Sequence, residues 1–300
     1  MQVLPYEPTM LPKVTAAYNH IIQNVPHCYP TTEARFGDAI AGVIGEGDKE
    51  SRLHSEAAYV AMEADALLGF IHVGIGKIWG SQAERGIIHF FWYERGQRAA
   101  GQALLDAAEA YLRQQDVERI TAFSQQYRYR FYYLPAAYLS DHLDHLHALL
   151  QFNGYKKSEG EVFLNWPNYD VQPVPTEVPM DVSVALKPER GKLPGLIVSA
   201  KQEGQKVGVC ESICAGGISQ TEAAQHWLFT TWLGVEEAFQ GKGVGRYLLQ
   251  RCLVEMRKIG YRNAAISTAW DNYRAFVFYS NCGYHVVDWT YGLTRDLMEG

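Results

Sequence analysis

Apolar residues along 244–259 recur at helical spacing: Val244, Leu248, Cys252, Met256 and Ile259 fall on one face. An apolar run that ends at Val235 comes before this helix, and a glycine-dense connection joins the two. Upstream, 196–201 and 206–213 read as two strands joined by a Gln-Glu-Gly-Gln turn, with a further strand at 181–187. Downstream come a strand at 263–270 and closing strands at 285–289 and 291–297. In the first half, 2–7, 57–65, 67–75, 86–92, 119–125 and 161–166 read as strands. Helices are predicted at 12–23, 32–43, 101–115 and 141–152, the third with Leu104, Leu105, Ala108, Tyr111 and Leu112 on its buried face.

This order of elements predicts an α+β protein with helices and mixed, mostly antiparallel strands in both halves. The connection before residue 244 carries the chemistry. Helix-start N–H groups have no intrahelical partner, and with the helix dipole they favour phosphate oxygens. Gly241, Gly243 and Gly245 have no Cβ, so a ligand can come close to the backbone. A Walker loop needs Gly-Lys followed by Ser or Thr, which is absent here. The spacing Gly-x-Gly-x-Gly, behind a hairpin with no crossover helix, makes a dinucleotide-binding βαβ unit the weaker reading.

Gln240-x-x-Gly243-x-Gly245, preceded by Leu233-x-Val235, resembles the acyl-CoA signature of the GNAT N-acetyltransferase superfamily. Asn272-x-x-Ala275-x-x-Phe278-Tyr279-x-x-x-Gly283-Tyr284 resembles that family's second motif, in the right order and about one strand further on. The resemblance implies acetyl-CoA as acyl donor and direct transfer to a primary amine. It implies that the backbone of Leu233, Gly234 and Val235 pairs with the pantetheine arm and polarises the thioester carbonyl. The amides from Gln240 and Gly241 through Lys242, Gly243, Val244 and Gly245 to Arg246 would hold the pyrophosphate, with Lys242 and Arg246 adding charge. Asn272 would touch the pantetheine or position the thiol end, and Tyr279 would protonate the leaving thiolate. A phenol, titrating near ~10, is protonated at neutral pH and suits that task. Glu211, His226, Glu236 and Glu237 are all candidates for the general base, and their spacing does not choose among them.

The first half resembles a second, degenerate copy of the same domain, so the expected division is 1–170 and 171–300. Where the second half has residues 240–245, the first has Arg95 through Gly101, short of glycine. Aligning Gly154-Tyr155 with Gly283-Tyr284 puts Leu150 at the position of Tyr279 and Leu143 at that of Asn272, and leucine donates no proton. The second half is abbreviated at its start: after a linker with Pro167, Pro173, Pro175 and Pro179 there is no room for the two helices that open this fold.

Charge and composition bear on partners and compartment. The net charge of −6 arises in residues 1–170, which carry 14 basic and 20 acidic side chains, whereas 171–300 carry 13 of each. No basic footprint for nucleic acid is present. No apolar run is long enough for a membrane span, and five unpaired cysteines suit a reduced, cytoplasmic setting. The acceptor is a small-molecule or protein amine, and the oligomeric state is left open. No metal is expected: Cys210 and Cys214 read as strand-core residues, and His142, His145 and His147 as a solvated helix face. The segment 127–133, alternating Tyr, Arg and Phe, reads as packing with surface cation–π contacts. From a different class, a non-catalytic acyl-CoA-binding or scaffolding protein is the alternative, and Tyr279 is the residue that distinguishes it.

Overall fold

A computed structural model describes residues 1–42 and 53–297. The chain forms two compact units, one made of Met1–Glu161 with Trp289–Gly300, the other of Val162–Asp288. None of the described helices is long and apolar enough to cross a membrane.

The first unit contains β1 (Gln2–Pro5), α1 (Leu11–Ile21), α2 (Glu33–Ile40), β2 (His54–Glu63), β3 (Ala66–Lys77) and β4 (Glu84–Tyr93). It continues through α3 (Arg98–Arg113), β5 (Arg119–Ala122), the two-residue β6 (Leu139–Ser140), α4 (Asp144–Phe152) and the start of β7 (Lys156–Trp166). Thr32 starts α2 by accepting the Arg35 N–H on its Oγ1 at 3.3 Å; the expected helix end at 43 lies outside the described residues. Strands β1 to β4 pair antiparallel in sequence order, and β4 pairs parallel with β5.

The strand beside β5 comes from the far end of the chain. In β13 (His285–Asp296), Leu293–Asp296 pair antiparallel with Ala122–Arg119. The two closing strands expected at 285–289 and 291–297 are thus one continuous strand, which begins in the second unit and ends in the first. Arg295 from this strand meets the buried Glu109 of α3 at 2.6 Å, and Glu109 also accepts from Tyr155 (3.1 Å) and Arg113 (3.0 Å). Removing one partner of a buried ion pair leaves a poorly solvated charge. Arg295→Ala is therefore expected to lower unfolding free energy by about 3 kcal/mol, read by denaturant unfolding of the whole chain.

Aromatic rings fill the core of the first unit. Tyr18 meets Phe36, Phe90 and Phe131, and Phe36 meets Phe131, edge-to-face or tilted, with centroids 5.2–5.4 Å apart. The aromatic members of 127–133 pack among them, as the sequence reading has it: Tyr127, Tyr129, Phe131, Tyr132 and Tyr133 are all core residues, while Arg130 is exposed. Arg128 is part-buried among the rings, donating to the Tyr132 carbonyl at 3.2 Å, and desolvation pushes its guanidinium down to about 10.

The second unit contains β8 (Asp181–Lys187), β9 (Gly195–Gln202), β10 (Gln205–Cys214), the single turn α5 (Glu222–Gln225), β11 (Trp227–Val235), α6 (Val244–Ile259), β12 (Asn263–Ala269) and α7 (Tyr273–Asn281). Strands β8 to β11 are antiparallel neighbours, and β11 pairs parallel with β12. Val244, Leu248, Leu249, Cys252, Leu253 and Met256 form the buried face of α6. Ser212 contacts Cys252 of that helix at 3.3 Å. Only residues 188–194 separate β8 from β9, whereas α1 and α2 stand between β1 and β2. The face of this sheet opposite α6 therefore lacks the two opening helices, as the sequence predicts.

Candidate active site

Two interruptions of regular pairing shape the site in the second unit. The β10–β11 register passes from Glu211↔Trp232 to Ser212↔Thr230, so Thr231 is an extra residue, a β-bulge that bends the strand. The parallel pairing of β11 with β12 ends at that point, at Thr230↔Ile266, although both strands continue. Beyond the bulge, residues 231–235 thus present an edge that β12 does not take up, a template for an extended ligand. Trp232 is 61% exposed there, and its indole lies over the next backbone step: a Cβ at Gly234 would come within 2.8 Å of Nε1. Leu233 and Val235, flanking that glycine, are half-buried.

The glycine-dense connection directly follows this edge. Gln240 folds back, its Nε2 donating to the Val235 carbonyl at 3.0 Å. Gly241 (φ +75°) and Gly243 (φ +80°) are left-handed, and a Cβ at either would meet nothing within 4 Å. The first helical bond of α6 is Tyr247 N–H to Gly243 O at 3.0 Å, so the N–H groups of Val244, Gly245 and Arg246 precede it. Lys242 and Arg246 are exposed around them. The linker runs alongside: Thr176 donates to the Lys242 carbonyl at 3.0 Å, and Val174 N–H to Gln250 at 2.8 Å. Together the linker and loop border an open cleft of about 730 Å³, lined by Pro175, Val178, Pro179, Phe239, Lys242 and Gly243 among others.

Helix α7 reaches the same place. A Cβ at Gly245 would sit 3.6 Å from Val235 and 3.9 Å from Phe278, so strand end, loop and helix converge on that glycine. Asn272 caps α7, its Oδ1 accepting the Ala275 N–H at 3.2 Å; this is the role the structure gives that side chain. Tyr279 is 8% exposed, with its ring against Phe278 and Tyr284. The four candidate bases separate by position. His226 pairs with Glu222 at 3.0 Å on the surface, Glu236 with Lys206 at 3.5 Å, and Glu237 is exposed. Glu211 stands beside the bulge. Cys210 and Ser212 point to α6, so Glu211, between them, faces the other side of the sheet with Trp232.

The first unit repeats this plan with the ligand features filled in. Its parallel pairing likewise ends just before a bulge, at Ile88↔Ala122, with His89 the extra residue. Four residues, 94–97, join β4 to α3, against eight, 236–243, between β11 and α6. The strand end is occupied from within: His145 donates from Nε2 to the Tyr93 carbonyl at 3.1 Å, and Tyr93 donates to the His145 carbonyl at 2.9 Å. Burial lowers the His145 pKa, keeping the ring neutral in this contact, and His147 is likewise buried, donating to Leu139 and Ser140 carbonyls at 3.2 Å. These two histidines are structural and not the solvated face read from the sequence. Tyr155 N–H bonds the Leu150 carbonyl (3.1 Å) as Tyr284 N–H bonds that of Tyr279 (3.2 Å), so leucine occupies the position of the tyrosine.

A splayed parallel pair, a bulge at the split and a glycine loop opening a helix give the second unit the layout of a GNAT domain. The GNAT acetyltransferase domain model matches residues 194–286. With 98% of the chain covered, the structure is similar to that of a tandem GNAT protein from the clavulanic acid biosynthesis pathway (TM-score 0.63, 13% identity, 98% of that chain). It is also similar to a GCN5-related N-acetyltransferase from Sphaerobacter thermophilus (TM-score 0.61, 13% identity, 98% of this chain and 95% of that one). A glucosamine N-acetyltransferase region of a fungal multi-domain β-N-acetylglucosaminidase aligns at TM-score 0.64 and 13% identity, over 98% of this chain and 38% of that one. No curated protein sequence matches. Residues 194–286 thus carry a GNAT acetyltransferase domain, and the chain as a whole has the fold of tandem GNAT proteins.

Proposed function

We propose that the chain transfers an acetyl group from acetyl-CoA to a primary amine, with the active site in the second domain, 171–300. The observation that carries this reading is the free strand edge at 231–235 running directly into the left-handed loop of Gly241 and Gly243 at the start of α6. Pantetheine amides would pair with Leu233 and Val235, and the pyrophosphate would lie on the N–H groups of 241–246 with Lys242 and Arg246 beside it. The thioester then comes to the bulge, where backbone N–H groups polarise its carbonyl. The amine would arrive from the face bearing Glu211 and Trp232, with Glu211 the best placed of the four candidates to take its proton. Attack on the carbonyl carbon forms the amide, the C–S bond breaks, and Tyr279 gives its proton to the thiolate. Asn272 enters as the cap that holds α7, and with it Tyr279, in place.

Calorimetric titration of the full chain with acetyl-CoA, followed by a screen of amines, tests this. One equivalent bound per chain, with turnover on at least one amine, is the expected result. Two equivalents would place a site in the first unit despite the Tyr93–His145 contact; no binding by calorimetry and no thermal shift would remove the reading altogether. One equivalent without turnover on any amine would favour an acyl-CoA-binding protein.

A further inference from the structure

We propose that the first unit binds a divalent transition metal through Glu56, His72 and His89. The three residues sit on neighbouring strands β2, β3 and β4, and one ligand atom from each lies within 4.8 Å of the other two. His72 is buried; its Nε2 is 3.0 Å from Glu56 Oε2 and its Nδ1 is 2.9 Å from the Tyr129 hydroxyl. His89, the bulge residue, stacks on His72 with centroids 5.1 Å apart and planes 12° apart. Both of its ring nitrogens are buried and neither makes a well-formed hydrogen bond, the Arg128 backbone lying beside the ring.

Two imidazoles and one carboxylate form a donor set that zinc and its neighbours accept, with a fourth position left for water. Bonds of 2.0–2.2 Å hold such ligand atoms roughly 3–3.5 Å apart, which the Glu56–His72 pair already meets, while His89 turns out of its stack on His72 to bring a nitrogen to the same ion. Tyr129 supplies the outer contact that fixes a ligating histidine: once Nε2 faces the metal, Nδ1–H donates to the phenol oxygen. Glu56 is partly exposed, with a side-chain accessibility of 26%, which gives the ion a route in. The same bulge position is Thr231 in the second unit, so the metal would occupy in one unit the place where the other handles its thioester. Sequence spacing gives no sign of this set, because its members lie 16 and 17 residues apart on three strands.

The test is titration of chelator-treated, full-length protein with Zn²⁺ by calorimetry and with Co²⁺ by visible absorption. One equivalent of each is expected, with a Co²⁺ ligand-field band and a raised melting temperature. Glu56→Gln, a conservative change at a partly exposed position, should weaken Zn²⁺ binding at least tenfold without loss of fold, and His89→Gln should do the same. His142→Ala should leave it unchanged. The proposal is overturned by the absence of a stoichiometric site, by binding indifferent to both Glu56→Gln and His89→Gln, or by binding lost in His142→Ala.

Discussion

Gly243→Glu is expected to weaken acetyl-CoA binding at least 100-fold, about 2.7 kcal/mol, while the chain stays folded. The free protein tolerates the new side chain sterically, since a Cβ at Gly243 meets nothing within 4 Å. Its φ of +80° makes a residue with a Cβ cost about 1–2 kcal/mol of stability, well short of unfolding a domain. Most of the lost affinity comes from placing a carboxylate where the pyrophosphate must approach the N–H groups at the start of α6. Gly243→Ala separates the two effects: it carries the backbone cost without the charge, and its affinity should fall by about tenfold or less. Isothermal titration and thermal denaturation of both variants read affinity and fold independently. Equal affinity in wild type and Gly243→Glu would move the cofactor away from this loop.

Tyr279→Phe should lower kcat by about 100-fold with acetyl-CoA affinity unchanged, the size of effect that general acids contribute. The phenol oxygen is all that is removed. The ring contacts with Phe278 and Tyr284 persist, and the backbone carbonyl that receives the Tyr284 N–H is untouched. A fall in affinity together with kcat would instead show that the hydroxyl helps to hold the ligand. Unchanged kcat would mean that the thiolate leaves without this proton. Steady-state kinetics on any amine acceptor, with acetyl-CoA binding measured separately, decides between these outcomes.

Much of this arrangement was written locally in the chain. Helical spacing from Val244 to Ile259 marked α6, the glycines at 241 and 243 are left-handed as their lack of Cβ permits, and the four prolines after Trp166 signalled a linker without helices. What the sequence hid depends on contacts between distant residues. The bulges at His89 and Thr231 appear only when the neighbouring strands are set in register. His145 looked like a surface residue on an amphipathic helix, because the Tyr93 carbonyl that it serves lies 52 positions away. The aromatic run at 127–133 alternates arginine and tyrosine, yet the partial burial of Arg128 follows from packing around Tyr18 and Phe36 that no local pattern encodes. Asn272 matched a family motif, and its work as a helix cap became visible only with the Ala275 N–H beside it.

The strand that begins in the second unit and ends in the first sets the order in which the protein can mature during synthesis. Domains of a nascent chain ordinarily fold as they emerge, the N-terminal one first. Here β5 acquires its β13 neighbour, and Glu109 its Arg295, from residues that are made only after the whole second unit. The first half must therefore wait, with one sheet edge open and Glu109 served by Arg113 and Tyr155 alone, until residues 289–296 have been made. Such long-range closure is slow, and it exposes an unpaired edge to other chains while it lasts. A stop codon or proteolytic cut just before Trp289 would leave every residue of the glycine loop in place and still take from the first unit the strand beside β5 and the Arg295 that meets Glu109.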